Sequence, residues 1–331
     1  MGGTSRRVTR PRCGGSQAPL AELVSAARRS LRAMDTSPDE MPLDSRLAML
    51  PEHQRLLTSA LLRVVKAGGV LAQACIQRPV QPWSWSAEIA ASDINLFPAW
   101  DGNVLHRRLL GDLGRGCESA REHGLALFEL ARSTRALSVP LATVTRGAIE
   151  AYSRVFWLLS AERPEECVRR LASLEHKALF HGERRGAKLR RLPFETEATL
   201  PVADHRALIA SWADHFKLKL EGGDPTRLAI DFLEALYPGQ GAYTYFGLSG
   251  AAHANEWATA NFYDFKSGRL RRDDKMLMEY CMYVIEASRQ VCDLLIQRFE
   301  PDAASSERWA QAYGGALRDI DGFITRTRDP V

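Results

Sequence analysis

The hydrophobic periodicity of this chain is helical almost throughout, and it limits the possible folds more than any other feature. Apolar residues recur at every third or fourth position in long segments, and no segment sustains the apolar–polar alternation of a half-buried strand. We therefore predict an all-α fold, a multi-helix bundle with an N-terminal helical extension. The predicted helices cover residues 20–34, 53–77, 86–94, 104–133, 139–160, 164–181, 204–220, 225–237, 243–257, 273–299 and 306–325.

Three connecting segments interrupt these helices. Residues 78–100 contain three prolines and three tryptophans, Trp83, Trp85 and Trp100, and they are predicted to form a loop around helix 86–94. Residues 182–192 hold five basic residues and one acidic residue, which indicates an exposed connection that could contact phosphates. A turn at residues 266–268 is predicted to join two short extended pieces.

We predict three regions along the chain. Residues 1–17 contain four arginines and no acidic residue, and they are predicted to be a disordered basic tail. Residues 18–100 are predicted to be an N-terminal helical subdomain that includes the Trp- and Pro-rich connection. Residues 101–331 are predicted to form the main helical bundle.

Composition and cysteine usage are typical of a soluble globular protein from a reducing compartment. It has 331 residues, a formal net charge of +4 and 25% charged residues, which is typical of a soluble globular protein. The six cysteines include no C-x-x-C pair, and most lie in apolar helical stretches. This usage is typical of a reducing compartment, so we predict a cytoplasmic location. The N-terminus lacks the apolar core of a secretory signal, and charges interrupt the apolar stretch 137–159, so we expect no membrane association.

The sequence lacks the motifs of several classes of helical or nucleotide-binding enzyme, which excludes those classes. No histidine has a glutamate three residues before it, which excludes the Glu-x-x-His pairs of ferritin-like di-iron proteins. The sequence contains no H-E-x-x-H zinc motif, no P-loop and no dinucleotide-binding glycine pattern. We therefore expect neither a metal nor a cofactor.

The predicted helix 139–160 carries a stripe of charge on an otherwise apolar surface. Arg146, Glu150 and Arg154 are spaced four residues apart and therefore lie on one face. One interpretation is an outer face in contact with water, with two local ion pairs. The other is that Arg146 and Glu150 point into a cleft, where Arg146 would hold an anion and Glu150 would orient it or act as a base.

The predicted helix 243–257 combines small residues with groups capable of proton transfer. Ser249 and His253 are spaced four apart, and Glu256 is close enough to contact His253 and fix its tautomer. Tyr243 and Tyr245 could supply further hydroxyls. A structural alternative is a close contact between helices, in which His253 caps a backbone carbonyl. A serine hydrolase is disfavoured because a serine in the middle of a helix lacks the strained turn and oxyanion hole of such enzymes.

Together the two helices are similar to those of uncharacterised all-helical bacterial proteins of the HEPN-like kind. In these proteins an Arg-x-x-x-Glu helix packs against a later helix with a tyrosine and a Ser-x-x-x-His pattern; the matching residues here are Arg146, Glu150, Ser249 and His253. The resemblance covers residues 137–299. It implies a metal-independent ribonuclease that acts as a dimer. Active members pair an arginine with a histidine four to six residues later, and neither of the two matching helices has that spacing.

The sequence therefore leaves three functional hypotheses. The first is a HEPN-like protein that binds or cleaves RNA as a possible homodimer, with His253 as general acid/base and Arg146 as phosphate holder, assisted by Glu150. Ser249, Tyr243, Tyr245, Glu256 and Arg154 are predicted to support binding in this site. The second is a non-catalytic helical protein that binds a partner or itself. The third is a small-molecule enzyme with a site in the bundle core.

Overall fold

The computed structural model describes most of the chain. The described residues are 43–77, 84–91, 104–132, 138–185, 188–190, 199–253, 255–260, 262–264, 266, 268–270 and 274–328. Within them the fold is all-α, a multi-helix bundle, as the periodicity predicted. The predicted basic tail 1–17, the predicted helix 20–34, Trp83 and Trp100 lie outside the described residues.

The helices follow one another through short connections. They are α1 (Leu43–Gln77), α2 (Trp85–Ala91), α3 (Val104–Ala131), α4 (Ser138–Leu159), α5 (Pro164–Arg184), α6 (Val202–His215), α7 (Pro225–Leu236), α8 (Gly241–Ala252), α9 (Glu256–Ala260), α10 (Asp274–Phe299) and α11 (Ala303–Arg328). Four short strands are β1 (Lys188–Arg190), β2 (Thr199–Pro201), β3 (Tyr263–Asp264) and β4 (Arg269–Leu270).

The short strands form two antiparallel pairs. β3 pairs with β4 across the turn that the sequence predicts, with Tyr263 opposite Leu270. β1 pairs with β2, with Leu189 opposite Leu200. The predicted exposed connection 182–192 is therefore partly structured, since α5 continues to Arg184 and β1 follows it. Three-residue strands contain too little alternation to stand out in the sequence.

Two compact units divide the chain. One comprises residues 54–320 and contains most of every helix from α1 to α11. The other comprises residues 1–53 with 321–331, and its described residues are helical. Both segments that the sequence singles out for chemistry belong to the unit 54–320.

Helix α4 is the central element of the larger unit, because it packs against α3, α5, α7, α8 and α10. Its apolar residues Ala148, Ile149 and Val155 are fully buried. Towards α7 the rings of Phe156 and Phe232 pack with centroids 4.8 Å apart. A helix that is covered on several sides leaves little surface for its charged residues, so each of these needs a specific partner.

Glycines allow the long helices to approach closely. A Cβ atom added at Gly116 of α3 would lie 2.5 Å from Val155 of α4, and one added at Gly68 of α1 would lie 2.9 Å from the hydroxyl oxygen of Ser288 in α10. Glycine disfavours helix interiors, yet Gly68 lies inside α1. Its place against α10 explains why a side chain there would be costly.

Polar caps fix where several helices begin. Asp224 accepts a hydrogen bond from the backbone N–H of Arg227 at 3.1 Å and so caps α7. Asp302 accepts from the N–H of Ser305 at 2.8 Å and caps α11 in the same way.

The prediction of one continuous helix over 243–257 is wrong. α8 ends at Ala252, and α9 begins at Glu256. Asn255 separates them, because its side-chain oxygen accepts from the N–H of Trp257 at 3.0 Å and its carbonyl accepts from the N–H of Thr259. Asparagine is a preferred N-cap residue, and it starts a new helix here.

One helix segment bears on membrane association. Within the described residues, Gln54–Gln77 is the only segment long and apolar enough to cross a membrane, with a mean hydropathy of 1.4. Of its most apolar window, 44% is buried inside the fold, and core helices of soluble proteins have the same composition. The expectation that the chain does not associate with a membrane remains a prediction.

Candidate functional site

Helices α4 and α8 bring Arg146, Glu150 and Tyr245 into one hydrogen-bonded cluster. Nε of Arg146 donates to Oε1 of Glu150 at 2.7 Å, and the Tyr245 hydroxyl donates to the same oxygen at 2.8 Å. The guanidinium carbon of Arg146 also lies 5.6 Å from the centre of the Tyr245 ring, within cation–π range. One carboxylate oxygen therefore fixes both a cation and a phenol.

Arg146 extends this cluster to His253, which is 107 residues further along the chain. Its Nη1 lies 2.7 Å from Nε2 of His253. Arginine can only donate, so Nε2 must accept and the imidazole proton resides on Nδ1. The contact therefore directs Nε2 of His253 at the guanidinium of Arg146.

Burial and the neighbouring Glu150 carboxylate shift the pKa values of Tyr245 and Arg146. Burial raises the pKa of Tyr245, and the neighbouring Glu150 raises it further, so the phenol keeps its proton and remains a donor. Burial alone would lower the pKa of Arg146, but the hydrogen bond and charge of Glu150 raise it overall. Arg146 therefore remains charged beside the Glu150 carboxylate.

The cluster passes from a buried end to an open end. Tyr245 is buried, with 2% of its surface exposed, and its hydroxyl lies 3.4 Å from Thr226 on α7. The Arg146 and Glu150 side chains are 22% and 30% exposed, and His253 is exposed at the C-terminal end of α8. A ligand from solvent can therefore contact His253 and Arg146, while Tyr245 anchors the cluster from below.

Arg154 is directed to a different part of the bundle. It pairs with Asp112 of α3, with its Nε 2.9 Å from Oδ2. Asp112 is buried and also accepts from Arg115 at 2.6 Å. The charged stripe on α4 is thus divided between two partners, and Arg154 lies outside the cluster of Arg146 and His253.

Three other predicted binding residues lie near the cluster without joining it. Glu256 was predicted to contact His253, but it lies beyond the helix break, and its carboxylate has no hydrogen bond or ion pair within the described residues. Ser249 contacts His253 through its backbone, since its carbonyl accepts from the His253 N–H at 3.0 Å. Tyr243 is 85% exposed on the outer face of α8.

Sequence reasoning missed several groups around the cluster. Thr226 approaches the Tyr245 hydroxyl from α7, and no local pattern around residue 226 indicates such a contact. Phe246 is 61% exposed, with its ring centre 6.2 Å from that of Tyr245, and Trp257 on α9 is 87% exposed. The exposure of Phe246 could have been suspected, because the apolar residues of α8 are spread around the helix instead of forming one buried stripe.

A separate cleft lies between α1 and α3. It has a volume of about 680 Å³ and is lined by Lys66, Gly69, Val70, Ala72, Gln73, Ile76, Gln77, Gly114, Cys117, Glu118 and Arg121. None of these residues belongs to the cluster around Arg146. Within the parts of the chain that the structure describes, no group of three or more His, Cys, Asp or Glu side chains is placed to hold a metal ion.

The cluster combines the Arg146 cation, an exposed histidine and a carboxylate that accepts two hydrogen bonds. Such a set can bind an anion through Arg146 and accept a proton at His253. No protein-family model, no curated protein sequence and no solved structure matches this chain. The interpretation of the site therefore depends on its own geometry.

Proposed function

We propose that this protein binds RNA and cleaves it without a metal ion, as a HEPN-like ribonuclease whose site is the cluster of Arg146, Glu150, Tyr245 and His253. The observation that carries the proposal is the 2.7 Å contact between Nη1 of Arg146 and Nε2 of His253 at an exposed position. An anion holder and a proton acceptor are thereby placed side by side. These are two groups that a phosphodiester cleavage requires.

Arg146 would bind the scissile phosphate. A guanidinium presents donors in a planar fork that matches the oxygens of a phosphate. When Nη1 turns from His253 to a phosphate oxygen, Nε can stay on Glu150, so the arginine remains oriented. Glu150 in turn is held by the Tyr245 hydroxyl, which makes both of them positioning residues.

The released Nε2 of His253 would act as the general base. The 2′-oxygen attacks phosphorus as its proton passes to Nε2, and the bond between phosphorus and the 5′-oxygen breaks. The histidinium then returns a proton to the leaving 5′-oxygen. The products are a 2′,3′-cyclic phosphate and a 5′-hydroxyl, with no net change in protons.

The test is a cleavage assay in EDTA on a single-stranded oligoribonucleotide, with wild type, His253→Ala and the exposed control His181→Ala. General acid–base catalysis accelerates a reaction about 100- to 10,000-fold. The cleavage rate of His253→Ala should therefore be at least about 100-fold below that of wild type, while His181→Ala cleaves at the wild-type rate. Circular dichroism verifies that all three proteins are folded. Absence of cleavage by wild type, or equal cleavage by His253→Ala, would overturn the catalytic proposal.

A non-catalytic binding protein is the second candidate, and the exposed aromatic residues of α8 and α9 favour it. Large exposed aromatic groups are typical of surfaces that contact a partner. RNA binding without cleavage in the same assay would support this alternative. The possible homodimer belongs to the same proposal, and sedimentation of the full chain measures it.

A further inference from the structure

A second histidine lies against the helix that carries Arg146. His123 of α3 packs on Gly147 of α4, where an added Cβ atom would lie 2.5 Å from both Cε1 and Nε2 of the His123 ring and 2.8 Å from its Nδ1. The imidazole is therefore seated over the backbone of α4 at the residue that directly follows Arg146. Any side chain at position 147 would displace the ring from this place.

The ring nitrogens of His123 have no partner among the residues that the structure describes. The side chain is half-buried, and no hydrogen bond or ion pair within that part of the chain engages it. The buried His106, in contrast, is bonded to Ser86 at 2.7 Å. Gly147 lies in the middle of α4, although glycine is disfavoured in helix interiors. The sequence thus keeps an unfavourable residue at the position where it admits an unpaired imidazole.

The two histidines approach α4 from opposite sides of one accessible strip. Helix α4 packs against both α3 and α8. Successive residues of an α-helix point about 100° apart around its axis. Arg146 points towards α8, where it contacts His253, and the next residue, Gly147, faces α3 and His123. The two imidazole rings therefore flank the part of α4 that lies between these directions.

That part of α4 is open to solvent. From the same helical spacing, Thr143 and Glu150 point between the directions of residues 146 and 147, within about 60° of the latter. Thr143 is exposed, and the Glu150 side chain is 30% exposed. Arg154, which is 38% exposed, continues the strip one turn further on. A phosphate held by Arg146 would thus lie in a groove with one histidine on each wall.

Cleavage of a phosphodiester needs two proton transfers on opposite sides of phosphorus. The attacking and the leaving oxygen are in line, with the phosphorus atom between them. His253 takes the proton of the 2′-oxygen, so it lies on the side of attack and reaches the 5′-oxygen only by moving across. A second imidazole on the opposite wall can perform the other transfer without such a movement.

We infer that His123 is a second catalytic residue of the site, the general acid that protonates the leaving 5′-oxygen. The inference rests on the proposed function and moves its last proton transfer from His253 to His123. The 2′-oxygen bonds to phosphorus as its proton passes to Nε2 of His253. The bond between phosphorus and the 5′-oxygen breaks, its electron pair stays on that oxygen, and a proton from the His123 imidazolium neutralises it. Proton exchange of both histidines with water then restores the starting state.

The test compares two RNA substrates in EDTA, one with the ordinary linkage and one in which sulfur replaces the bridging 5′-oxygen at the cleavage site. A thiolate leaves without protonation, so the sulfur substrate needs the base and not the acid. His123→Gln should cleave the ordinary linkage at least about 100-fold slower than wild type, and the sulfur linkage within about threefold of the wild-type rate. His253→Ala should be at least about 100-fold slower on both linkages.

A second variant tests the seat of the ring without changing a histidine. Gly147→Ala places a methyl group where the ring lies, so it should slow cleavage of the ordinary linkage at least about tenfold and spare the sulfur linkage. Gly314→Ala on α11 is the matched control, because its added Cβ atom would have an ordinary contact of 3.8 Å with Arg318. The control should cleave both substrates at the wild-type rate. Circular dichroism verifies that all variants are folded.

Three outcomes would overturn the inference alone. In the first, His123→Gln cleaves the ordinary linkage like wild type while His253→Ala does not. In the second, His123→Gln loses the same factor on both linkages, which would give His123 a structural role. In the third, Gly147→Ala cleaves like Gly314→Ala, so the ring would not act from its place on α4. Absence of cleavage of both substrates by wild type would overturn the proposed function, and the inference with it.

Discussion

At the scale of single residues, one oxygen atom of Glu150 holds the site together. Oε1 accepts from both Arg146 and Tyr245, and Arg146 connects the carboxylate to His253. A carboxylate that accepts two donors has little freedom to rotate, so the guanidinium is presented in one orientation. Lysine could not replace Arg146, because a single ammonium group lacks the planar fork that connects two partners.

The Tyr245 hydroxyl gives a test of this arrangement that does not depend on activity. Tyr245→Phe removes the donor to Glu150 and should lower the free energy of unfolding by about 1–2 kcal/mol, since the bond is to a charged group at a partly exposed site. Urea denaturation measures the change. Tyr243→Phe is the control, because that hydroxyl belongs to a side chain that is 85% exposed. Equal effects of both substitutions would contradict the assigned role of Tyr245.

At the scale of helices and strands, α8 is placed by its contact with α7. A Cβ atom on Gly241 would lie 2.5 Å from the carbonyl oxygen of Ile230 and 2.6 Å from the backbone nitrogen of Glu234. The N–H of Gly241 also donates to the Glu234 carboxylate at 2.9 Å. The two atoms that the added Cβ would approach are backbone atoms, which cannot move aside without disturbing α7. Gly241 therefore sets the position of the helix that carries Tyr245 and His253.

Two glycines of α8 should respond oppositely to alanine. Gly241→Ala should lower the free energy of unfolding by about 1–3 kcal/mol, because the new methyl group overlaps α7. Gly247→Ala should raise it by up to about 1 kcal/mol, because among the described residues no atom beyond its own stretch of helix lies within 4 Å of its Cβ position and alanine favours helices. Thermal or urea denaturation of both variants measures the difference. A stabilised Gly241→Ala would refute the close α7–α8 contact.

The helices were predictable because their signals are local. Residues 104–133 and 139–160 were predicted as helices, and α3 and α4 match them to within two residues. The β3–β4 pair was indicated by its turn. The break between α8 and α9 was missed because the pattern of small residues continues through it, although Asn255 was a visible capping signal. The β1–β2 pair joins two segments that are too short to show alternation.

At the scale of the whole molecule, the site forms where α4, α7 and α8 meet. Both helices of the Arg146–His253 pair could be selected from the sequence, as could Arg146, Glu150, Tyr245 and His253 themselves. Their convergence could not be predicted, since the packing of residues 107 positions apart depends on the whole bundle. Two further contacts could not be predicted for the same reason. They are the ion pair of Arg154 with Asp112 on α3 and the contact of Tyr245 with Thr226.

The central claim is that Arg146 and His253 act as one unit on RNA. The most direct measurement is a double-mutant cycle of cleavage rates in EDTA, with Arg146→Ala, His253→Ala and the double variant. Residues that act together show strongly non-additive losses. We expect the cleavage rate of each single variant to fall about 100-fold or more below that of wild type. The double variant should be no more than about threefold slower than the slower single variant. Losses that multiply, or single variants that cleave like wild type, would contradict the claim.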